Sequence, residues 1–384
     1  MRDRDPTPTA AGFSRRRALA GLAALAGLAV PPTPGRAETA PTTLTIATWG
    51  GVYEAAQRAA LFDPFTAATG IAIETARHDG GPDVPGRPEA RGWDLIDLGA
   101  ANAGAACAKG LLVPLDTAAL PAPPRGGGSV REDFLPGSFG RCALAHSTFA
   151  TVVAYDDRAF PGRKPTSIAD VFDVEGFPGK RAFRRNPDGL MEWALMAVGV
   201  PRAQIYDLLS TDRGIRLALR ELDRIREHIL WWEAAEAPVD LLESGAAVMA
   251  SGFNGRFFDA RVMRDRPIII IWDGQLVARE AWAIPAAADP SRRAAAERFI
   301  RFATRPERQA ALAEHLPYGP TRHSALERIG LHPVAGVPMA DHLPTAPHRM
   351  DRALVIDSAW YANTEALRRR RFEAWLAEGA AAGR

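Results

Sequence analysis

The sequence predicts an α/β fold with at least two sheets. Three observations carry this. Short β-rich runs alternate with helical periodicity along the chain, glycines mark the turns between them, and one strongly amphipathic helix is flanked by apolar runs of strand length. The composition agrees: 384 residues, 47% hydrophobic, 24% charged and 8% aromatic is ordinary for a folded chain and leaves room for two or three domains. A formal net charge of +2, with no basic block interleaved with aromatics, excludes a nucleic-acid partner.

Residues 1–37 stand apart. They hold six arginines and two aspartates; the rest of the chain has 41 basic and 43 acidic residues, a net of −2. Arg15-Arg16-Arg17 precedes an apolar run from Ala18 to Val30. That run is shorter than the roughly 20 residues needed to cross a hydrocarbon core, and it suits the apolar region of an export signal. Ser14-Arg15-Arg16-Arg17-Ala18-Leu19 resembles a twin-arginine signal, although Ala18 stands where an aromatic is more usual. Gly35-Arg36-Ala37 offers small residues for cleavage, and an uncleaved anchor helix is the alternative. The expectation is a cleaved signal over 1–37 and an exported, soluble mature protein. Export also bears on Cys107 and Cys142, the only cysteines, which read as a disulfide or as two buried thiols.

In the mature chain, Leu44 to Thr48 alternates as a strand and Trp49-Gly50-Gly51 breaks it. A helix follows over Val52 to Leu61, with a second piece after Asp63-Pro64 and Gly70 at its C-terminal end. Ile71 to Thr75 is the next strand, which completes a βαβ unit and implies parallel pairing. Trp93 to Leu98 is a third strand, Pro121 to Gly128 a surface loop, and Thr148 to Tyr155 a strand crossing between domains. From Asp212 to Leu230, Ile215, Leu219, Leu222, Ile225 and Ile229 fall at helical spacing opposite Arg216, Arg220, Asp223 and Glu227. Ala246–Ala250 and Ile268–Ile271 suit buried strands, and Ala283-Ile284-Pro285 reads as a second crossing. Thr304-Arg305-Pro306-Glu307 has capping-box spacing, and Asn363 to Glu378 is a closing helix.

Enzymatic signatures do not appear in the sequence: there is no G-x-S-x-G elbow, phosphate-binding glycine loop or H-E-x-x-H. The five histidines from His315 to His348 are not spaced to put two ligands on one helical face, so neither a metal nor a cofactor is expected. The arginine run 368–371 reads as a solvated helix face. What remains are aromatics beside turns at strand ends, where open α/β sheets collect ligands. These are Trp49, Tyr53, Phe253 and Tyr318, with Glu280 just before the second crossing. Aromatic faces with a carboxylate suit an organic cation. Phe257, Phe258, Trp193 and Trp231 are assigned to the core.

Several segments in this order resemble one family. They are T-I-A-T-W-G-G-V-Y-E (45–54), G-W-D-L-I-D-L (92–98), K-G-L-L-V-P-L-D (109–116), F-P-G-K-R (177–181), A-V-M-A-S-G-F-N-G (247–255), E-A-W-A-I-P (280–285) and P-Y-G-P-T (317–321). Across about residues 43–379 the chain is similar to the solute-binding proteins of bacterial ABC importers, in particular the spermidine/putrescine-binding group. The resemblance implies a periplasmic binding protein-like fold of the second type, two α/β lobes with a ligand cleft between them. Lobe one would be 43–154 plus 279–325, and lobe two 155–278 plus 326–379. It also implies a non-enzymatic monomer that carries a polyamine-like cation to an inner-membrane permease, after passing through the export machinery. The ligand-binding residues it implies are Trp49, Tyr53, Asp188, Phe253, Glu280, Tyr318 and Trp360, with Ser358 near the last position.

The chain departs from that group in places. The lobe-two loop reads Phe183-Arg184-Arg185-Asn186-Pro187-Asp188-Gly189, which sets two arginines beside Asp188. Ala278 stands where an aromatic is expected, and Gly99-Ala100-Ala101-Asn102 lacks the usual Ser and Tyr. One end of a diamine is provided for and the other is not, so a different nitrogenous solute, such as an opine, an amino-acid derivative or a thiamine-like compound, is the alternative. An enzyme built on the same fold is the remaining one.

Overall fold

The computed structural model describes residues 43–123 and 128–382, so the export-signal reading of 1–37 and most of the Gly126–Gly128 run lie outside it. Eight main strands build the molecule: β1 (Thr43–Thr48), β2 (Ala72–Arg77), β3 (Leu95–Gly99), β4 (Ala143–Asp156), β5 (Arg181–Arg184), β6 (Ile229–Trp232), β7 (Met249–Phe253) and β8 (Ile268–Ala283). Their order is β2-β1-β3-β8-β4-β7-β5-β6. Within β2-β1-β3 and within β7-β5-β6 the pairing is parallel, which requires helical crossovers. The joins β3/β8, β8/β4 and β4/β7 are antiparallel.

The expectation of separate sheets is corrected by this order: one sheet passes through both lobes. The reason is strand length. β4 has 14 residues and β8 has 16, so each spans one lobe, the waist and the other lobe, and each pairs at both ends. The segments read separately as Ile268–Ile271 and Ala283–Pro285 are therefore largely one strand, which ends at Ala283. Two bulges interrupt the β4/β8 ladder at the waist, between Ala145 and Ser147 and between Thr151 and Val153.

Each side of the waist has its own core. Leu44, Ile46, Phe62, Phe65, Leu144, Trp282 and Phe299 pack in one. Phe183, Trp193, Leu195, Ile215, Leu222, Leu276 and Trp375 pack in the other. The first helical run is continuous from Gly51 to Thr69, with a five-residue π-turn at Arg58–Phe62 just ahead of Pro64, which has no N–H to continue an α-ladder. Gly70 closes the run in the left-handed conformation (φ 76°).

Three local expectations are corrected. The amphipathic helix ends at Ile225, and Ile229 opens β6, because pairing with β5 outweighs a helical period that has already buried its face. The strand read at Ala246–Ala250 lies at Met249–Phe253, so Phe253 is its last residue. Thr304 forms no capping box; its hydroxyl donates back to the Ile300 carbonyl and Arg305 is the N-cap. Cys107 and Cys142 are bonded, which ties the helix Ala100–Ala108 to the start of β4. Among the described residues, no helix is long and apolar enough to cross a membrane.

Candidate functional site

The site begins where β1 ends. Gly50 and Gly51 both take positive φ (73° and 60°), which swings Trp49 out of the strand before the helix starts. The indole packs on His78, with ring centroids 4.5 Å apart, and passes over Gly80. A Cβ at Gly80 would stand 2.7 Å from that ring, so the close approach requires glycine. One turn into the helix, Tyr53 is buried and its hydroxyl donates to Asp97 Oδ2 at 2.7 Å. Four aromatic rings then run in sequence. Tyr53 meets Tyr318 (5.7 Å), Tyr318 stacks on Phe149 (5.6 Å), and Phe149 meets Phe253 edge-on (5.8 Å).

Asn254 locks this row in place. Fully buried, it accepts from the Ala150 N–H at 3.0 Å and donates to the Pro317 carbonyl at 2.6 Å. That joins the end of β7, the middle of β4 and the loop bearing Tyr318. Phe253 and Tyr318 are thus held by one side chain, although 65 residues separate them in the sequence.

Glu280 lies in β8 at the waist. Alternation along the strand puts Leu276, Ala278, Glu280 and Trp282 on one face. The first two line the cleft and Trp282 enters the lobe-one core, so Glu280 is set between cleft and core. It is 6% exposed. Burial and the nearby charge of Asp97 push its carboxyl well above the usual range. The Trp49 indole approaches and opposes that shift, yet among the described residues neither the indole N–H nor Glu280 Oε2 has a partner in hydrogen-bond geometry.

Behind these residues lies an acidic centre that the sequence reading did not single out. Asp97, fully buried in β3, accepts from Tyr53 and from Gln57 Nε2 (2.5 Å), and His146 Nε2 lies 2.9 Å from its Oδ1. Gln57 in turn accepts from Thr48, and His78 Nε2 lies 2.8 Å from the Asp97 carbonyl. His146 is the extra residue of the first β4 bulge, and its ring stacks on Trp282 at 4.3 Å. The bulge is what aims it into the site. A signal for Asp97 did exist: a charged residue inside Leu95-Ile96-Asp97-Leu98, a run buried on both faces.

The cleft itself is a cavity of about 200 Å³. Lobe one supplies Gly99 to Asn102 and Phe149; the far wall holds Phe183, Arg184, Asn186, Asp188, Ser251 and Phe253, with Ser358 and Tyr361 below. Trp193, assigned to the core, is buried there but also reaches the cavity floor. Phe183 and Arg184 belong to β5 rather than to the loop that follows it. Arg184 is exposed to the cleft, with its guanidinium over the Trp232 ring at 5.9 Å and no carboxylate within ion-pair distance among the described residues. Arg185 turns away toward Glu233 at 3.7 Å.

The structure thus brings Trp49, Tyr53, Phe253, Glu280 and Tyr318 into one neighbourhood. Asp188 lines the cavity but is engaged by Arg368, a nearly buried arginine. Trp360 is set elsewhere: its indole N–H donates to Ser210 and its ring packs on Tyr206, while Ser358 and Tyr361, on another face of the same helix, reach the cleft. Chemically, the site offers an aromatic and acidic end suited to an ammonium group and a free guanidinium suited to a carboxylate.

The family model for bacterial extracellular solute-binding proteins matches residues 60–344. The chain belongs to that family.

This solute-binding protein is 32% identical over 338 residues to the gamma-aminobutyric acid-binding protein of Pseudomonas aeruginosa, which covers 87% of the chain and 91% of the relative. Among solved structures it is similar to MotA of A. tumefaciens B6 in complex with glucopine (25% identity, TM-score 0.75, covering 87% of this chain and 99% of that one). It is also similar to the GABA receptor Atu4243 (26% identity, TM-score 0.71, 87% and 97% coverage). The fold is the two-lobed periplasmic binding fold of the second type.

Proposed function

We propose that this chain is the periplasmic binding component of an ABC importer, and that its ligand carries both an amine and a carboxylate. GABA and the opines that its relatives bind are compounds of this kind. The observation that carries the reading is a pair of groups unmatched among the described residues, one lining the cleft and one set between the cleft and the lobe-one core. Arg184 presents a guanidinium with no acid, and Glu280 presents a buried carboxyl oxygen with no donor. In this reading the ligand ammonium sits against Glu280 among Trp49, Tyr53, Tyr318, Phe149 and Phe253, and the ligand carboxylate meets Arg184. Lobes 43–154 plus 279–325 and 155–278 plus 326–379 are the two bodies that close over it, flexing where β4 and β8 cross the waist.

A polyamine, favoured by the sequence resemblance, needs an anionic group at the far wall. There Asp188 is held by Arg368, and Arg184 adds a positive charge beside it. The diamine is therefore the second reading.

Thermal denaturation of the mature protein with GABA, glucopine and putrescine separates the two. A ligand present at 100 times its dissociation constant stabilises by about 2.7 kcal/mol. The expected outcome is a clear rise in Tm with GABA or glucopine and none with putrescine. Stabilisation by putrescine alone would return the ligand to the polyamine class.

A further inference from the structure

We propose that ligand binding drives a proton off Glu280, and that Asp97 is the positioning residue that keeps this proton in place in the empty receptor. The proposal rests on the amine-bearing ligand of the preceding reading.

Two neighbouring buried acids, Asp97 and Glu280, have unequal surroundings. Three donors or potential donors converge on the Asp97 carboxylate: Tyr53, Gln57 and His146. Among the described residues Glu280 has no such set, and its Oε2 is buried without a partner. Two like charges set side by side in a dry site disfavour double ionisation, and the group without donors is the one that stays protonated. The β3/β8 ladder holds the two acids at this spacing, with Gly99 opposite Glu280 and Asp97 opposite Trp282.

The groups around Glu280 are Asp97 from β3, Tyr53 from the first helix, Tyr318 from the loop ahead of Gly319, and the Trp49 indole. His146 and His78 stand behind Asp97. Arg279 precedes Glu280 and also lines the cleft; its guanidinium donates to the Pro136 carbonyl, and it makes no ion pair with Glu280 among the described residues. Among the described residues, no Lys, Arg or His nitrogen lies within ion-pair distance of Glu280. The cation that would stabilise its carboxylate is therefore absent until a ligand ammonium supplies it. When the ammonium arrives, Glu280 loses its proton to solvent and the carboxylate pairs with the ligand. The net result is one proton released per ligand bound.

Affinity should consequently rise with pH, by up to about tenfold per unit, until the pH passes the value at which Glu280 ionises in the empty receptor. Isothermal titration with GABA in buffers of different ionisation enthalpy near neutral pH counts the protons directly. The expected result is release of about one proton by the unaltered protein and none by Glu280→Gln. Asp97→Asn should release a smaller fraction, because burial alone then holds the proton and part of Glu280 is ionised before binding. A merely supporting role for Asp97 would weaken binding and leave the proton count unchanged, which would overturn its part in the proposal. GABA binding with no proton exchange in the unaltered protein would overturn the whole. A second readout needs no ligand: infrared difference spectra at neutral pH should show a protonated carboxyl band in the empty receptor that is missing from Glu280→Gln. If GABA fails to bind, the ligand reading fails, and the infrared band alone decides the protonation. Absence of that band refutes it.

Discussion

Replacing Arg184 with Gln is the sharpest test of what the far wall of the cleft does. The side chain makes no ion pair among the described residues, and its main contact is the face of Trp232. Removing it should change the stability of the empty protein by no more than about 0.5 kcal/mol, the range for exposed positions. Its loss should instead appear in binding. A hydrogen bond to a charged group contributes about 1.5–3 kcal/mol, and each 1.4 kcal/mol is a factor of ten. Because Arg184 faces open cleft solvent rather than a sealed interior, the lower part of that range applies until the lobes close over the ligand. The expected loss for GABA is about 10- to 100-fold, measured by isothermal titration at physiological ionic strength. Butylamine, which keeps the chain and amine but lacks the acid, should bind the two proteins equally. Unchanged GABA affinity in Arg184→Gln would refute the assignment of the carboxylate end. An equal loss for both ligands, with a lower Tm, would show that Arg184 shapes the wall rather than meeting the ligand.

Three further outcomes follow from the same structure. Reducing the Cys107–Cys142 bond, which closes a 35-residue separation, should lower stability by about 3–4 kcal/mol on the chain-entropy estimate, read from urea midpoints with and without reductant. Glu192 is buried beneath the cleft against the Tyr361 hydroxyl, and burial raises its carboxyl to about 7. Since its folded value lies above the unfolded one, stability is lost as pH rises from about 4.5 to about 7, by roughly 3 kcal/mol at most. Glu192→Gln should flatten that slope, and urea midpoints near pH 5 and pH 8 measure it. Gly80→Ala should cost about 1–2 kcal/mol for its positive φ of 83° and also displace the Trp49 ring, so GABA affinity and Tm should fall together.

Much of the lobe-one architecture was legible in the sequence because its signals are local. Alternation marked β1, Gly70 marked the end of the first helix, and a βαβ pattern implied the parallel pairing that β1 and β2 adopt. The aromatics beside the turns were legible for the same reason: Trp49 and Tyr318 follow conspicuous breaks. The misread elements were set by distant partners. Ile229 fits a helical period, yet it pairs across to Arg181 in β5. Ile268 and Ala283 read as parts of two elements, and only pairing with both ends of β4 makes them one strand.

Within the site, the residues missed from sequence are those whose role depends on long-range neighbours. Asp97 reads as an oddity in a buried strand until Tyr53 and Gln57 from the first helix and His146 from β4 converge on it. Phe149 is one apolar residue among several in β4 until it links Tyr318 to Phe253. Asp188 departs from its expected place for an electrostatic reason: Arg368, on the final helix, takes it, and Arg184, to which the sequence assigned no role, lines the cleft without an ion pair among the described residues. The sequence by itself therefore determined the α/β class, the cysteine pair and the aromatic and acidic residue types that an amine requires. Only the tertiary structure decided that one sheet runs through both lobes and which charged groups, among the described residues, are left unpaired around the cleft. Hydrophobic periodicity acts over a few residues, whereas the pairing of long strands and buried charges acts between segments far apart in the chain.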